Sequence, residues 1–535
     1  MTVTPLTAGL PDDAALRELA AAKGVCVRPI LQHVTDTLTG ASKTVVIACG
    51  ATRAKVCPSC ADAARRLRIQ QCREGWHLTD DPPKPEATEP TEDGGDDDGD
   101  QADGDVGIGR RVRSTRRRQD APDLPRLAVS DRTTGRVFEA SDGKTYRPSM
   151  FVTFTLPSYG RVTSEGVPVD PRSYDYRRAA LDAMHFPKLV DRFWQNLRRA
   201  TGYSVQYFAT VEPQRRLAPH LHAAIRGAIP RKLMKQVVAA TYHQVWWPQL
   251  DDPVYTDPDE YPVWDALAET YADPMTGAVL PSWDEALDAI DDDPNAMPAH
   301  VIRAGAQVDI QGVIAGTPLA DRVIGYLTKY LTKSITDPLH DDSDGEARVS
   351  AARRSHVDRI ADEVRWLPCS PTCANWLRYG VQPQDATGGL EPGRCGSKAH
   401  DRDHLGLGGR RVLVSRRWTG KTLDEHRADR AAVVRAVLAE AGIEMDDHDE
   451  LSATATTPDG RPRFVWTITH PGDVDGPTYG RLIAHAIAQK QRWRTQYEDA
   501  KTRAGPASPD LSATSSVHDP EGSDVDVSST VDEDG

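Results

Sequence analysis

Residues 207–226 read YFATVEPQRRLAPHLHAAIR. Tyr207–Glu212 is aromatic and β-branched, Pro213–Pro219 interrupts it with turn-forming residues, and His220–Arg226 resumes an apolar run; two strands are expected. Residues two apart on a strand share a face. His220 and His222 therefore project together while Leu221 faces a core, and Glu212 sits on the neighbouring strand. Two imidazoles and one carboxylate can hold a divalent ion and leave positions open for substrate oxygens. An H-x-H pair alone is a weak signal, so its surroundings decide.

Upstream, Met150–Leu156 alternates apolar residues with Thr and ends at Pro157, which reads as another strand. Between the strands, Arg177 to Arg199 spaces Leu181, Met184, Phe186, Leu189, Val190, Phe193 and Leu197 as one apolar helical face, with Pro187 expected to break it. Strand, helix and two strands in succession predict an α+β fold, an antiparallel sheet backed by helices. Downstream, Asp321–Ser334 reads DRVIGYLTKYLTKS, a helix that Asp321 can cap. Tyr326 and Tyr330 are four apart and share a face, and Lys329 and Lys333 each follow a Tyr by three. A phenol of pKa ~10 is a poor nucleophile at neutral pH. Adjacent ammonium groups and a metal-bound phosphate are what such a nucleophile requires.

The chain of 535 residues is long enough for two to four domains, and 39% of it is hydrophobic. No apolar run reaches the ~18 residues of a membrane helix, and the first twenty residues lack a signal peptide's basic start and apolar block. A soluble cytoplasmic protein is expected. The net charge of −14 argues at first against a phosphate-rich partner. It is unevenly placed: residues 80–105 hold 12 acids and one base, 251–300 hold 14 acids and no base, and 506–535 hold 8 acids and no base. These segments carry −33 and the remainder carries +19. The first and last are too poor in apolar residues to offset their ordering entropy and read as a disordered linker and tail. Residues 251–300 contain Tyr255, Tyr261, Trp264, Tyr271 and Trp283 and read as a partly ordered surface insertion. Solvation explains the acidity of all three, and mimicry or repulsion of nucleic acid is the functional alternative. Arg110, Arg111, Arg113 and Arg116–Arg118 follow the first acidic run as a phosphate-binding arm or as its counter-charge.

Eight cysteines fall in two groups, unlike a secreted disulfide scaffold. Cys57-Pro-Ser-Cys60 with Cys49 and Cys26 offers a four-thiolate zinc site; a redox CxxC is the rival, but no βαβ unit accompanies it. Cys373, Cys395, His400 and His404 form a second candidate zinc set, with Cys72, His77 and Cys369 as ligands or bystanders. Unconnected cysteines and surface histidines remain the alternative there. The basic run Gly409–Trp418 that follows suits a nucleic-acid-facing edge strand. Gly420-Lys421-Thr422 ends like a phosphate loop, but Ser415 stands where that loop needs its first Gly, and no nucleotide site is assigned.

The segments FVTFTLPS (151–158), VEPQRRLAPHLHAAIRG (211–227) and YLTKYLTKS (326–334) resemble the three motifs of HUH endonucleases of the rolling-circle initiator type. With RRAALDAMHFPKLVDRFWQNLRRATG (177–202), CGATRAKVCPSC (49–60) and CGSKAHDRDHLGLGGRRVLVSRRWTGKT (395–422), the chain resembles replication initiators of actinobacterial plasmids and integrative elements over most of 26–78, 126–250 and 300–422. The resemblance implies a site-specific, single-strand DNA nickase, with His220 and His222 as the metal pair, Glu212 as third ligand, Tyr330 as nucleophile and Tyr326 as its partner. It also implies Mg2+ or Mn2+ at that site, a 5′-phosphotyrosyl intermediate, origin DNA as substrate, and a host helicase and polymerase as partners.

The expected organisation is a zinc-binding region (1–79), a linker (80–125), a nicking domain (126–340), a second zinc-binding basic region (341–424), a C-terminal α/β region (425–500) and a tail (501–535), with one or two zinc ions in all. A conjugative relaxase or single-strand transposase would share the chemistry, though no helicase motif follows. A zinc-dependent regulator without chemistry would explain the cysteines but not the His pair together with the Tyr-x-x-Lys repeats.

Overall fold

The computed structural model describes residues 13–78, 82, 120–132, 138–139, 145–146, 148–314, 317–329, 331–332, 350–440, 455–469 and 479–504. Most of the acidic linker, the Arg110–Arg118 tract, Tyr330, Lys333 and the tail lie outside them. In chain order the elements begin α1 (Asp13–Ala22), β1 (Ile30–Asp36), β2 (Ser42–Ile47), α2 (Pro58–His77), β3 (Phe138–Glu139), β4 (Thr145–Tyr146), β5 (Pro148–Phe154) and α3 (Tyr176–Thr201). They continue β6 (Tyr207–Pro213), β7 (Pro219–Ile225), α4 (Arg231–Ala240), β8 (Tyr242–Val245), β9 (Val263–Asp265), β10 (Thr270–Ala272) and α5 (Trp283–Asp292). Last come β11 (His300–Arg303), β12 (Val308–Ile314), α6 (Pro318–Lys329), α7 (Ala351–Trp366), β13 (Val412–Val414), α8 (Leu423–Glu440), β14 (Phe464–Thr469) and α9 (Tyr479–Ala504). Among the described residues no helix is long and apolar enough to cross a membrane.

The chain divides into two units, Met1–Cys49 with Arg427–Gly535, and Gly50–His426. In the first, β14, β1 and β2 form an antiparallel sheet in that order, with Leu31 opposite Thr469 and Val46. Leu31 and Val34 of β1, Leu16 and Ala20 of α1, Phe464 of β14, and Ile483 and Ile487 of α9 are buried. The division falls at 49/50 and 426/427, where the expected organisation has boundaries at 79 and 425. The pairing that sets it joins strands more than 400 residues apart, which no local pattern announces.

In the second unit a five-stranded antiparallel sheet runs β12-β5-β7-β6-β13. Its two faces are distinct because side chains alternate. One face presents Met150, Val152, Phe154, Ala209, Val211, Leu221, Ala223 and Ile225 to a core shared with α3 and α7. Phe186, Leu189, Val190, Phe193 and Leu197 of α3 are fully buried, each contributing about 1.5–3 kcal/mol. That contact carries α3 through Pro187 unbroken, against the expected break, because tertiary burial outweighs the lost backbone hydrogen bond. The opposite face presents Phe151, Phe208, Ala224 and Val313 to a second core with Cys72 and Trp76 of α2 and Val323, Ile324 and Leu327 of α6.

Three further expectations are revised. Asp321 does not cap α6, which begins at Pro318; the Thr317 hydroxyl accepts the Ala320 N–H at 3.3 Å, and Asp321 pairs with Arg73 at 3.3 Å. The 341–424 region, expected as a part of its own, contributes β13 as the edge strand beside β6. Residues 251–300 are ordered throughout: β9 and β10 pair, α5 starts with a Ser282–Glu285 capping box, and β11 pairs with β8. Tyr271, Leu280 and Trp283 are buried there, and the Tyr271 hydroxyl donates to the Thr387 carbonyl at 2.9 Å.

Candidate active site

Sheet register builds the site. Glu212 lies opposite His220, Thr210 opposite His222, and Thr153 opposite His222 on its other side. All five share the face covered by α2 and α6. Glu212, His220 and His222 each offer one ligand atom, and these lie within 4.8 Å of one another. The His222 Nε2 to Glu212 Oε2 distance is 3.8 Å.

Each ring is anchored through its other nitrogen. His220 Nδ1 donates to the Glu212 carbonyl at 2.8 Å, and His222 Nδ1 lies 2.7 Å from Thr153 Oγ1. Both imidazoles thereby keep Nε2 for a ligand, the usual outer support of a metal-binding histidine. Burial holds His220 down to about 4 and His222 down to about 2, so both are neutral donors at physiological pH. Burial also pushes Glu212 up to about 7, against the pull of Arg411, the Thr210 hydroxyl and Lys329. A buried carboxylate gathered with two neutral imidazoles is a site that a divalent cation would stabilise, and the mixed N/O donor set suits Mn2+ better than the harder Mg2+.

α6 delivers the phenol. The Tyr326 hydroxyl lies 3.3 Å from His222 Nε2, and the residue as a whole is 44% exposed. Phe151 stacks on His222 with ring centroids 5.7 Å apart, and Tyr326 meets the same imidazole edge-on at 4.9 Å. Lys329 occupies the last turn of α6, near enough to Glu212 to act on its charge. Thr153, Thr210 and Arg411 are not among the expected site residues; the Thr alternation of Met150–Leu156 is the signal that could have found Thr153.

The second cysteine set resolves differently from its spacing. Cys369, Cys373, Cys395 and His400 come together with ligand atoms within 4.8 Å. His404 does not join them; its Nε2 lies 3.0 Å from the Arg53 guanidinium, which can only donate, so that lone pair is engaged. Cys369 takes the place expected for His404. Of the other set, Cys26 and Cys49 belong to the first unit, where the Cys49 N–H points to Cys26 Sγ at 3.3 Å. Cys57 and Cys60 belong to the second unit, buried at the start of α2. Cys72 is fully buried in the α2–α6 core, where burial pushes its thiol up.

Residues 12–489 match the family model described as RepSA, replication initiator protein, pSAM2. A replication initiator protein of Streptomyces ambofaciens is 28% identical over 224 residues, covering 35% of this chain and 42% of that protein. The chain thus matches less than half the length of that relative. No solved structure matches. A family match over most of the length, with the histidine pair and Tyr326 inside it, settles the kinship: the chain belongs to the RepSA family of replication initiator proteins.

Proposed function

We propose that this protein starts rolling-circle replication by cutting one strand of its plasmid origin with a tyrosine. The observation that carries the proposal is the Tyr326 hydroxyl 3.3 Å from Nε2 of His222, inside a buried Glu212–His220–His222 donor set. When bound there, Mg2+ or Mn2+ supplies the charge that polarises a non-bridging oxygen of the scissile phosphate. Everything else falls to the chain's own side chains.

Glu212, His220 and His222 would hold that ion, and the β5 and β6 hydroxyls of Thr153 and Thr210 hold the donor set in place. Lys329 brings a cation to the α6 end, where negative charge builds on phosphorus. The phenol oxygen attacks in line. A Tyr Oη–P bond forms while the P–O3′ bond breaks, the phenolic proton passes to solvent, and the departing 3′ oxygen takes one up. The products are a 5′-phosphotyrosyl link and a free 3′-hydroxyl, which a host polymerase extends after a host helicase opens the duplex.

One phosphoester bond replaces another, so the 3′-hydroxyl can reverse the step without ATP. Tyr330, four residues beyond Tyr326 and outside the described residues, supplies the second phenol. Either tyrosine can open the cycle, and the other then attacks the regenerated junction. Origin recognition falls to the basic stretches around the cysteines and to the Arg110–Arg118 arm. The protein acts in the cytoplasm, where the plasmid is.

The test uses a supercoiled plasmid carrying the protein's own origin, incubated with the full chain and Mn2+. The expected product is an open circle with one nick, whose 3′ end primes a polymerase and whose 5′ end carries protein and resists a 5′ exonuclease until the phosphotyrosyl bond is cleaved. A plasmid that stays supercoiled, or a nick with a free 5′-phosphate, contradicts the proposal.

A further inference from the structure

Between α7 and β13 lie some forty-five residues, 367–411, with only the short 3-10 turns Ala374–Tyr379 and Lys398–His400 as regular structure. So irregular a segment needs a cross-link in place of a core. All its cysteines are free; Cys369 and Cys395 are 3.9 Å apart at Sγ, well beyond a disulfide bond. Cys373 Sγ lies 3.5 Å from His400 Nε2. A tetrahedral zinc ion with bonds of about 2.1–2.3 Å has ligand–ligand edges of about 3.6–3.8 Å, which these separations match. His400 donates Nδ1–H to the Val364 carbonyl at 2.7 Å and so keeps Nε2 for a ligand.

We propose that Cys369, Cys373, Cys395 and His400 form a closed structural Zn2+ site that locks the 367–411 segment beside the nicking sheet. Four protein ligands leave no position for substrate, which makes the site structural rather than catalytic. Its surroundings are built to hold it. The Trp376 indole N–H donates to the Ser370 carbonyl at 2.9 Å. The buried Asn375 side chain donates to the Arg365 and Leu367 carbonyls and accepts the Gly393 N–H at 2.6 Å. One residue thereby joins the end of α7 to both cysteine-bearing turns. From Cys395 and His400 the chain runs directly into β13, which pairs with the strand carrying Glu212. The metal therefore fixes the edge of the catalytic sheet without touching the reaction.

The experiment is metal analysis of the purified full chain and three variants, read as zinc equivalents per chain. Cys369→Ser should hold one equivalent fewer than wild type, while His404→Ala should hold the same number. Cys369→His restores a ligand and should recover the lost equivalent; after cobalt exchange its tetrahedral visible bands should show one thiolate fewer than wild type. If Cys369→Ser fails to fold, the His404→Ala and Cys369→His results decide. The proposal is overturned if Cys369→Ser keeps the wild-type zinc, if His404→Ala loses an equivalent, or if Cys369→His holds none.

Discussion

Thr153 Oγ1 lies 2.7 Å from Nδ1 of His222, directly across the β5–β7 ladder. That contact fixes which nitrogen of His222 is left for a metal and which way the ring turns. Removing it in Thr153→Val keeps the shape and removes the partner. Loss of such an outer support costs about 10–100-fold in metal affinity, measured as Mn2+ binding by calorimetry. Unfolding stability should change by only about 1 kcal/mol, the net worth of one hydrogen bond. Unaltered Mn2+ affinity would mean that His222 is held by other means.

Arg226 is fully buried. Its guanidinium donates to the carbonyls of Gly75, Arg417 and Trp418 and lies 5.1 Å over the Trp418 ring. It closes the C-terminal end of α2 and ties it to the turn after β13. Arg226→Met would take this donor from the buried Gly75 and Trp418 carbonyls and should cost about 3 kcal/mol, read as a lower urea midpoint. A change under about 0.5 kcal/mol, the usual range for surface substitutions, would show that water replaces the guanidinium.

Three histidines outside the metal set are held neutral by burial: His185 down to about 3, and His243 and His356 down to about 4. In the unfolded chain each takes up a proton near pH 6.5. The folded state binds fewer protons below that point, so stability is full above pH ~6.5 and falls as the pH drops toward ~4, by up to about 1.4 kcal/mol per pH unit per histidine. Urea midpoints at pH 7.5 and 5.5 should differ markedly, the lower pH being weaker. Equal midpoints would contradict the buried neutral state.

The acidic linker and tail bear on affinity rather than on fold. Deleting 80–105 and 506–535 removes 20 acids and one base. Non-specific DNA binding should tighten, most clearly at low salt. If affinity and its salt dependence stay as in the full chain, these segments serve solubility alone.

Much of this was legible in the chain itself. The strands of the five-stranded sheet showed because Thr, aromatic and β-branched residues alternate there, and the period of two by itself put His220 and His222 on one face. Placing Glu212 opposite His220 needed only a strand–turn–strand reading across Pro213–Pro219. Long-range pairing was not legible: nothing near Leu31 announces Thr469, and nothing in the Arg410–Arg417 run says that Val412 pairs with Thr210. The choice of Cys369 over His404 was hidden for a related reason. Spacing favoured the close His-x3-His pair, whereas the fold turns His404 toward Arg53 and brings Cys369 in from the end of α7. Pro187 misled locally because the apolar face of α3 outweighs it.

In the proposed reaction Tyr326 or Tyr330 becomes covalently joined to the 5′ side of the nick. The direct measurement is a denaturing gel of the full chain incubated with Mn2+ and a labelled single-stranded origin oligonucleotide. The expected result is a labelled band at the mass of protein plus DNA, lost with a chelator and lost in His222→Ala. It should be weakened or redistributed in Tyr326→Phe and in Tyr330→Phe, and absent in the double variant. A wild-type chain that forms no adduct on any single-stranded segment of its replicon, or an adduct that survives loss of both tyrosines, contradicts the account.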